Sequence, residues 1–169
     1  TDLWHVWRGD ECPDDSSDPE ELRSDTPEHM LLLACKGPAL CQRPYRAISC
    51  RQFPFFPYIS SAYRFLGLAY EWVFENTCWV ISNLERVTGV YREEFVRVYD
   101  SIFARWQEDH DSYYLYSEQM RIQFGAMKRR IPLLHRNGGC YLISPGSERM
   151  QRVAADRLPR FGPYRSQSD

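Results

Sequence analysis

Four cysteines in the first third of the chain, Cys12, Cys35, Cys41 and Cys50, are close enough in sequence to be joined by disulfide bonds. They lie in a proline-rich stretch with few apolar residues, where a covalent cross-link replaces a missing core. The sequence therefore predicts at least one disulfide within this group. The alternatives are free thiols and a zinc site that includes His29. We expect no metal site, because the segment lacks the closely spaced cysteine pairs of most structural zinc sites.

Histidine and acidic residues supply the second candidate chemistry. His110 lies within Glu108-Asp109-His110-Asp111, residue types that suit a cation site or a general base. The same cluster falls between two predicted helices, where a polar turn is expected. The sequence contains no glycine-rich phosphate loop, no HExxH motif and no GxSxG motif. We therefore predict a protein that is not an enzyme and that uses no cofactor.

Basic residues form a candidate binding patch near the end of the chain, where residues 121–165 hold ten basic residues against two acidic ones. Arginine pairs with phosphates, carboxylates and aromatic faces, so this patch suits RNA, anionic lipid head groups or an acidic protein. The chain's own acidic residues 1–28, with ten carboxylates and two arginines, are a further alternative. The candidate residues are Lys128, Arg129, Arg130, Arg136, Arg149, Arg152, Arg157, Arg160 and Arg165.

Aromatic and apolar residues outside a predicted core are candidate contacts with partner proteins. Residues 1–28 are too polar to order themselves by apolar burial, so the tryptophans near the start of the chain are expected to anchor them to another subunit. Apolar residues on a second face of the first predicted helix suggest another contact. The candidate contacts are Trp4, Trp7, Phe53, Phe55, Phe56, Tyr63, Leu66, Tyr70 and Phe74.

The elements that would position these residues are mainly helical. Apolar residues at helical spacing predict helices over 60–87, 91–109 and 113–131, which end near Gly89 and before Pro132. Short links favour a three-helix bundle, placed at 58–132. An irregular arm at 1–57, with a short helix near 27–36, precedes the bundle. A basic region at 133–169 follows, with a β-hairpin at 133–143 around Asn137-Gly138 and a short C-terminal helix.

These observations favour a role in assembly. No stretch is apolar enough for a transmembrane segment, and the cysteines and the first residue, Thr1, suit a processed chain in an oxidising compartment. We therefore expect a non-catalytic accessory structural subunit of a large organellar assembly, with a mitochondrial respiratory-chain complex as first choice. Its location would be the periphery of the inner membrane or the intermembrane space, and its partners other subunits. The alternatives are an RNA-binding subunit of an organellar ribosome and a secreted, disulfide-bonded helical ligand.

Overall fold

The computed structural model describes residues 4–7, 19–24, 26 and 31–162. The chain divides into two compact units, Thr1–Arg51 and Gln52–Asp169. In the first unit, β1 (Trp4–Val6) pairs with β2 (Leu33–Cys35) in an antiparallel ribbon. The other elements that begin in this unit are α1 (Pro19–Ser24), 3-10 turns at Pro38–Leu40 and Arg43–Tyr45, and α2 (Ile48–Gln52).

The second unit is an α+β fold built on a five-stranded antiparallel sheet in which each strand pairs with its neighbours along the chain. The strands are β3 (Phe55–Ile59), β4 (Phe65–Tyr70), β5 (Ile131–His135), β6 (Cys140–Ile143) and β7 (Met150–Val153). Because β3 lies at an edge of this sheet, it tolerates Pro57, which has no backbone N–H to donate.

Helices connect β4 to β5 and cover the sheet. After a 3-10 turn at Trp72–Phe74 come α3 (Trp79–Ser82), a 3-10 turn at Leu84–Arg86, α4 (Gly89–Phe103) and α5 (Gln107–Ala126). The Thr88 hydroxyl caps α4 by accepting from the Tyr91 N–H at 3.3 Å. Helix α4 contacts β4, and α5 contacts both β3 and β5.

The core between the sheet and these helices is rich in aromatic side chains, whose rings meet edge to face or at a tilt. Phe56 contacts Tyr116 of α5 with ring centres 4.7 Å apart, and Phe65 contacts Phe103 of α4 at 5.5 Å. Such pairs add to the stabilisation that comes from burial alone. The largest fully buried side chains are Tyr58, Tyr70, Tyr99, Phe56, Phe124, Ile59, Leu68, Ile81, Met120, Ile131, Leu133 and Ile143.

The predicted mainly α three-helix bundle is wrong. The predicted helix over 60–87 is replaced by β4, two 3-10 turns and the single turn of α3. Nearly all of β4 is buried, and a strand buried on both faces has a continuous apolar run that also satisfies helical spacing. Helices α4 and α5 overlap the predicted helices 91–109 and 113–131, but the break between them lies at residues 104–106.

The two short predicted helices are also wrong where the structure describes them. Near 27–36, Leu33–Cys35 is strand β2, and residues 27–30 lie outside the described residues. Near the C-terminus, Met150–Val153 forms β7, because pairing with β6 outweighs its helix propensity. A hairpin does join β5 to β6 around Asn137-Gly138, and Gly138 there adopts a left-handed φ of +85°.

Candidate protein-binding groove

An apolar groove with a volume of about 280 Å³ lies where β3 begins, beside α3 and the N-terminal end of α4. Concave, mostly apolar surfaces with a few polar groups are where proteins most often hold a ligand or a partner side chain. The groove is lined by Phe53, Pro54, Phe55, Trp79, Val80, Arg86, Val87, Thr88 and Tyr91.

Three aromatic side chains at this groove are unusually exposed. Trp79 is 52% exposed and Phe53 is 49% exposed, although both line the groove. Phe74, which is 40% exposed, meets Phe53 edge to face with ring centres 5.2 Å apart. Aromatic side chains that are grouped and solvent-exposed are the residues that contribute most when a partner covers them. We call the groove together with Phe74 the aromatic groove.

The floor of the aromatic groove is rigid. Phe55 is 2% exposed and packs against the Tyr91 ring at 5.9 Å. The Tyr91 hydroxyl donates to the Gln52 carbonyl at 2.9 Å, and the Gln52 side chain exchanges hydrogen bonds with the Tyr113 hydroxyl. Burial raises the pKa of Tyr91 to about 12, so this phenol stays protonated and keeps donating at neutral pH.

Local hydrogen bonds hold the turn of α3 that presents Trp79. The Asn83 side-chain amide donates to the Trp79 carbonyl at 2.8 Å, and the Ser82 hydroxyl donates to the Cys78 carbonyl at 3.2 Å. Ser82 and Asn83 are buried, so these bonds are shielded from water. The exposed indole is therefore carried by a fixed backbone, which reduces the entropy that a partner must overcome on binding.

Arg86 is the single cation among the groove-lining residues. Its side chain is exposed and has no ion pair or hydrogen-bond partner within the described residues. A guanidinium beside an apolar groove can hold a carboxylate by two parallel hydrogen bonds. The groove thus combines an apolar floor with one available positive charge.

A second recess, of about 720 Å³, runs along the outer side of α4. Its charged lining includes Glu93, Arg97, Asp100 and Arg136, and Arg136 is paired with Asp100 at 2.8 Å. Because the recess has charges of both signs and some of them are paired with each other, it favours neither an anionic nor a cationic ligand.

Two ion pairs that are at least partly buried connect loops to the rest of the second unit. Arg121, 9% exposed, lies 3.3 Å from Glu148 and donates to the Ile59 carbonyl at 2.8 Å. Glu148 also accepts hydrogen bonds from the Ser61 N–H and the Tyr58 hydroxyl. These partners satisfy both charges inside the fold, so the pair has a structural role.

The second pair joins Arg129 to Glu75 by two hydrogen bonds of 2.7 and 2.9 Å. The Tyr70 hydroxyl donates to the same carboxylate at 2.7 Å, and the Arg129 guanidinium lies over the rings of Phe124 and Phe161. Arg129, a member of the predicted basic patch, is therefore committed to the fold.

His110 lies near the start of α5 and packs between the rings of Tyr63 and Phe103. The centre of its ring lies 4.3 Å from that of Tyr63 and 4.8 Å from that of Phe103. It is 9% exposed, and its Nδ1 has no hydrogen-bond partner within the described residues. Burial lowers the pKa of His110, which favours the neutral ring. The predicted polar interhelix turn is wrong here, because His110 belongs to the aromatic core and the break between the helices precedes it.

The predicted partner contacts are divided between the core and the surface. Phe53 and Phe74 lie at the aromatic groove, and Tyr63 is 43% exposed beside His110. Four others belong to the core of the second unit or pack against it: Phe55, Phe56, Leu66 and Tyr70. In the first unit, Trp4 donates to the Tyr45 carbonyl at 3.3 Å, and Trp7 lies under the Arg23 guanidinium.

The sequence did not predict Trp79, Arg86 and Tyr91 as groove residues. A signal was present, because the polar residues Glu75-Asn76-Thr77 interrupt the predicted helix shortly before Trp79.

The predicted basic patch is partly neutralised. Arg129 pairs with Glu75, Arg136 with Asp100, and Arg160 lies 3.3 Å from Glu85. Arg165 lies outside the described residues. The remaining members are exposed: Lys128, Arg130, Arg149, Arg152 and Arg157.

The predicted disulfide group lies in the first unit. Among the described residues, Cys35, Cys41 and Cys50 are free thiols that line one small cavity, and Cys12 lies outside the described residues. The disulfide stays a prediction.

In the described part of the chain, no group of three or more histidine, cysteine or acidic residues is arranged to hold a metal ion. Within the same residues, no helix is both long and apolar enough to cross a membrane.

Comparison with known proteins gives no relative from which a function could be transferred. No protein-family model, no curated protein and no solved structure matches this chain. The basis for a functional conclusion is therefore the aromatic groove itself.

Proposed function

We propose that this chain is a non-catalytic protein-binding subunit, and that the aromatic groove holds an apolar segment of its partner. The observation that carries the proposal is the half-exposure of Trp79 and Phe53 above a buried, hydrogen-bonded floor. Covering a large apolar side chain contributes about 1.5–3 kcal/mol. The exposed rings thus supply a driving force for association that the folded chain leaves unused.

The size and charge of the groove define the partner's chemistry. A volume of about 280 Å³ suits one or two large side chains rather than the whole face of a helix. Arg86 at the groove favours a carboxylate next to that apolar anchor. The expected ligand is therefore a short segment with an aromatic or branched aliphatic residue adjacent to aspartate or glutamate.

The wider setting is an accessory subunit of a large organellar assembly, with a respiratory-chain complex of mitochondria as the first choice. The second apolar face of the predicted helix 60–87 does not support this proposal, because these residues do not form one helix. Leu66 and Tyr70, which were assigned to that face, belong to the core of the second unit or pack against it. The aromatic groove still supports it. Cell fractionation followed by mass spectrometry of the native particle tests this setting, and recovery of the chain alone would contradict it.

A random peptide display library, selected against the full chain, tests the groove. We expect enriched peptides with an apolar anchor beside an acidic residue, and a Trp79→Ser variant should bind them about 30-fold more weakly, as expected for a hot-spot residue. Trp106→Ser is the matched control, because Trp106 is 51% exposed and is not among the groove-lining residues. Equal losses for the two variants, or no enrichment, would contradict the proposal.

RNA binding is the second candidate, supported by Arg149, Arg152 and Arg157, which are exposed on or near the edge strand β7. Such binding depends on phosphate contacts and weakens steeply with salt. Titration with single-stranded RNA at increasing salt tests it, and an affinity that does not change with salt would rule it out. The secreted-ligand alternative stays a prediction of the sequence, to be tested by assaying the culture medium for the chain.

A further inference from the structure

A cluster of sulfur and cationic side chains in the first unit has no part in the proposed binding function. Cys35, Cys41 and Cys50 line one cavity together with Lys36 and Arg46. The cavity has a volume of about 30 Å³, and all three cysteines are exposed residues. Thiols that are both close to cations and reachable from solvent are the ones that react readily.

Arg46 is directed at one sulfur in particular. Its Nε donates to the Cys41 Sγ at 3.1 Å. The pKa of Arg46 is raised chiefly by this hydrogen bond with Cys41, and the Cys50 thiol contributes electrostatically in the same direction. The guanidinium therefore donates to the Cys41 thiol, and Cys50 lines the same cavity.

The loop that carries Arg46 is held by hydrogen bonds to its backbone. Arg51 donates from Nε to the Arg46 carbonyl at 3.0 Å and from Nη2 to the Pro44 carbonyl at 2.7 Å. The Trp4 indole donates to the Tyr45 carbonyl at 3.3 Å. The carbonyls of residues 44–46 thus all accept hydrogen bonds from side chains. These bonds hold the backbone that places Arg46 beside Cys41.

We propose that this cavity is a site of thiol oxidation by hydrogen peroxide, with Cys41 as the attacking thiol and Cys50 as the resolving thiol. A cavity of about 30 Å³ has room for one very small molecule, and hydrogen peroxide is only slightly larger than water. The Arg46 donor is placed to stabilise the anionic sulfur that attacks and the oxygen that becomes bonded to it. The proposal is independent of the aromatic groove.

The reaction balances in two steps. Cys41 loses its proton to solvent, and its sulfur attacks one peroxide oxygen. An S–O bond forms while the O–O bond breaks, and the departing hydroxide takes up a proton to become water. Cys41 is then a sulfenic acid, oxidised at the expense of the peroxide. The Cys50 thiolate attacks the Cys41 sulfur, an S–S bond replaces the S–O bond, and the second hydroxide leaves as water with the proton that Cys50 released.

The test uses the full chain, fully reduced and then treated with a small excess of hydrogen peroxide before the remaining thiols are alkylated. Peptide mass mapping is expected to show a Cys41–Cys50 disulfide before Cys78 or Cys140 is oxidised. In a Cys50→Ser variant, a sulfenic acid at Cys41 should accumulate and be captured by dimedone. Uniform oxidation of all cysteines, or a disulfide from Cys41 to Cys12 or Cys35, would overturn the assignment.

Arginine variants test the role of the cation. Arg46→Gln should slow oxidation of Cys41 about tenfold, the factor that corresponds to one hydrogen bond to a charged group. Arg43→Gln is the matched control, because Arg43 is in the same loop but does not line the cavity. Arg46→Lys, which keeps the charge, distinguishes loss of the cation from loss of loop structure and should retain most of the rate. Equal slowing in the Gln, Lys and control variants would overturn the proposal.

Discussion

The two units of this chain contain similar apolar residues but use them differently. In the second unit, leucines, isoleucines and aromatic residues are buried between a five-stranded sheet and two helices, and Leu133 and Ile131 are 0% exposed. In the described part of the first unit no side chain is fully buried, and Leu40 and Tyr45 are each 60% exposed. Apolar content alone therefore does not produce a core.

The difference follows from the elements that each unit can form. A two-stranded ribbon and single-turn helices have no second layer to cover an apolar face. The second unit has a five-stranded sheet, and α4 and α5 pack on it. We infer that packing stabilises the second unit, whereas the first relies on backbone and side-chain hydrogen bonds.

Replacing one leucine in each unit gives the largest expected contrast. Leu133→Ala should lower the free energy of unfolding by about 2–5 kcal/mol, because it leaves a cavity in a packed core. Leu40→Ala, at a site that is 60% exposed, should change it by less than about 0.5 kcal/mol. Urea denaturation followed by circular dichroism measures both. Similar losses for the two variants would mean that the first unit also depends on apolar packing.

A glycine in each unit separates backbone strain from packing. Gly67 has φ +147°, and a Cβ there would lie 2.4 Å from the Leu134 carbonyl oxygen, so Gly67→Ala should cost about 2–4 kcal/mol. Gly37 also has a left-handed φ, of +84°, but its Cβ would meet nothing, so Gly37→Ala should cost about 1 kcal/mol. The measurement is again urea denaturation. Equal costs would show that strain, and not the close approach of β5, dominates at Gly67.

A weaker effect is expected from pH. Burial lowers the pKa of His110 below its usual 6.5, so the unfolded chain takes up a proton at a higher pH than the folded chain does. The free energy of unfolding should therefore be undiminished above pH 6.5 and should fall as the pH is lowered through and below that value. The pKa of His135 is lowered too, chiefly by burial, and contributes with the same sign.

Thermal unfolding between pH 7.5 and 5.0 checks this expectation. A His110→Phe variant keeps an aromatic ring between Tyr63 and Phe103 and should lose stability less steeply on acidification than the unmodified chain. Combining it with His135→Asn should flatten the profile further. If the variant and the unmodified chain have the same pH profile, His110 is not buried as a neutral ring.

The parts of this structure that could be predicted from sequence are those whose signal is local. The stripe that includes Phe95 and Tyr99 predicts α4, and Asn137-Gly138 predicts the turn of the β5–β6 hairpin. The proline-rich stretch that holds the first four cysteines predicts a segment without a core of its own, and no side chain is fully buried in the described part of the first unit. In each case a helix face, a turn or a chain interruption is defined by residues a few positions apart.

The remaining features were decided by contacts between residues far apart in the chain. Residues 65–70 satisfy helical spacing, and only pairing with β3 on one side and β5 on the other makes them a strand. The aromatic groove exists because β3, α3 and α4 bring Phe53, Trp79 and Arg86 together. The sequence by itself determined local features, such as the helix face of α4 and the Asn137-Gly138 turn. The tertiary structure decided which apolar residues are covered and which remain exposed, because burial and strand pairing depend on which distant segments meet and several pairings suit the same apolar pattern.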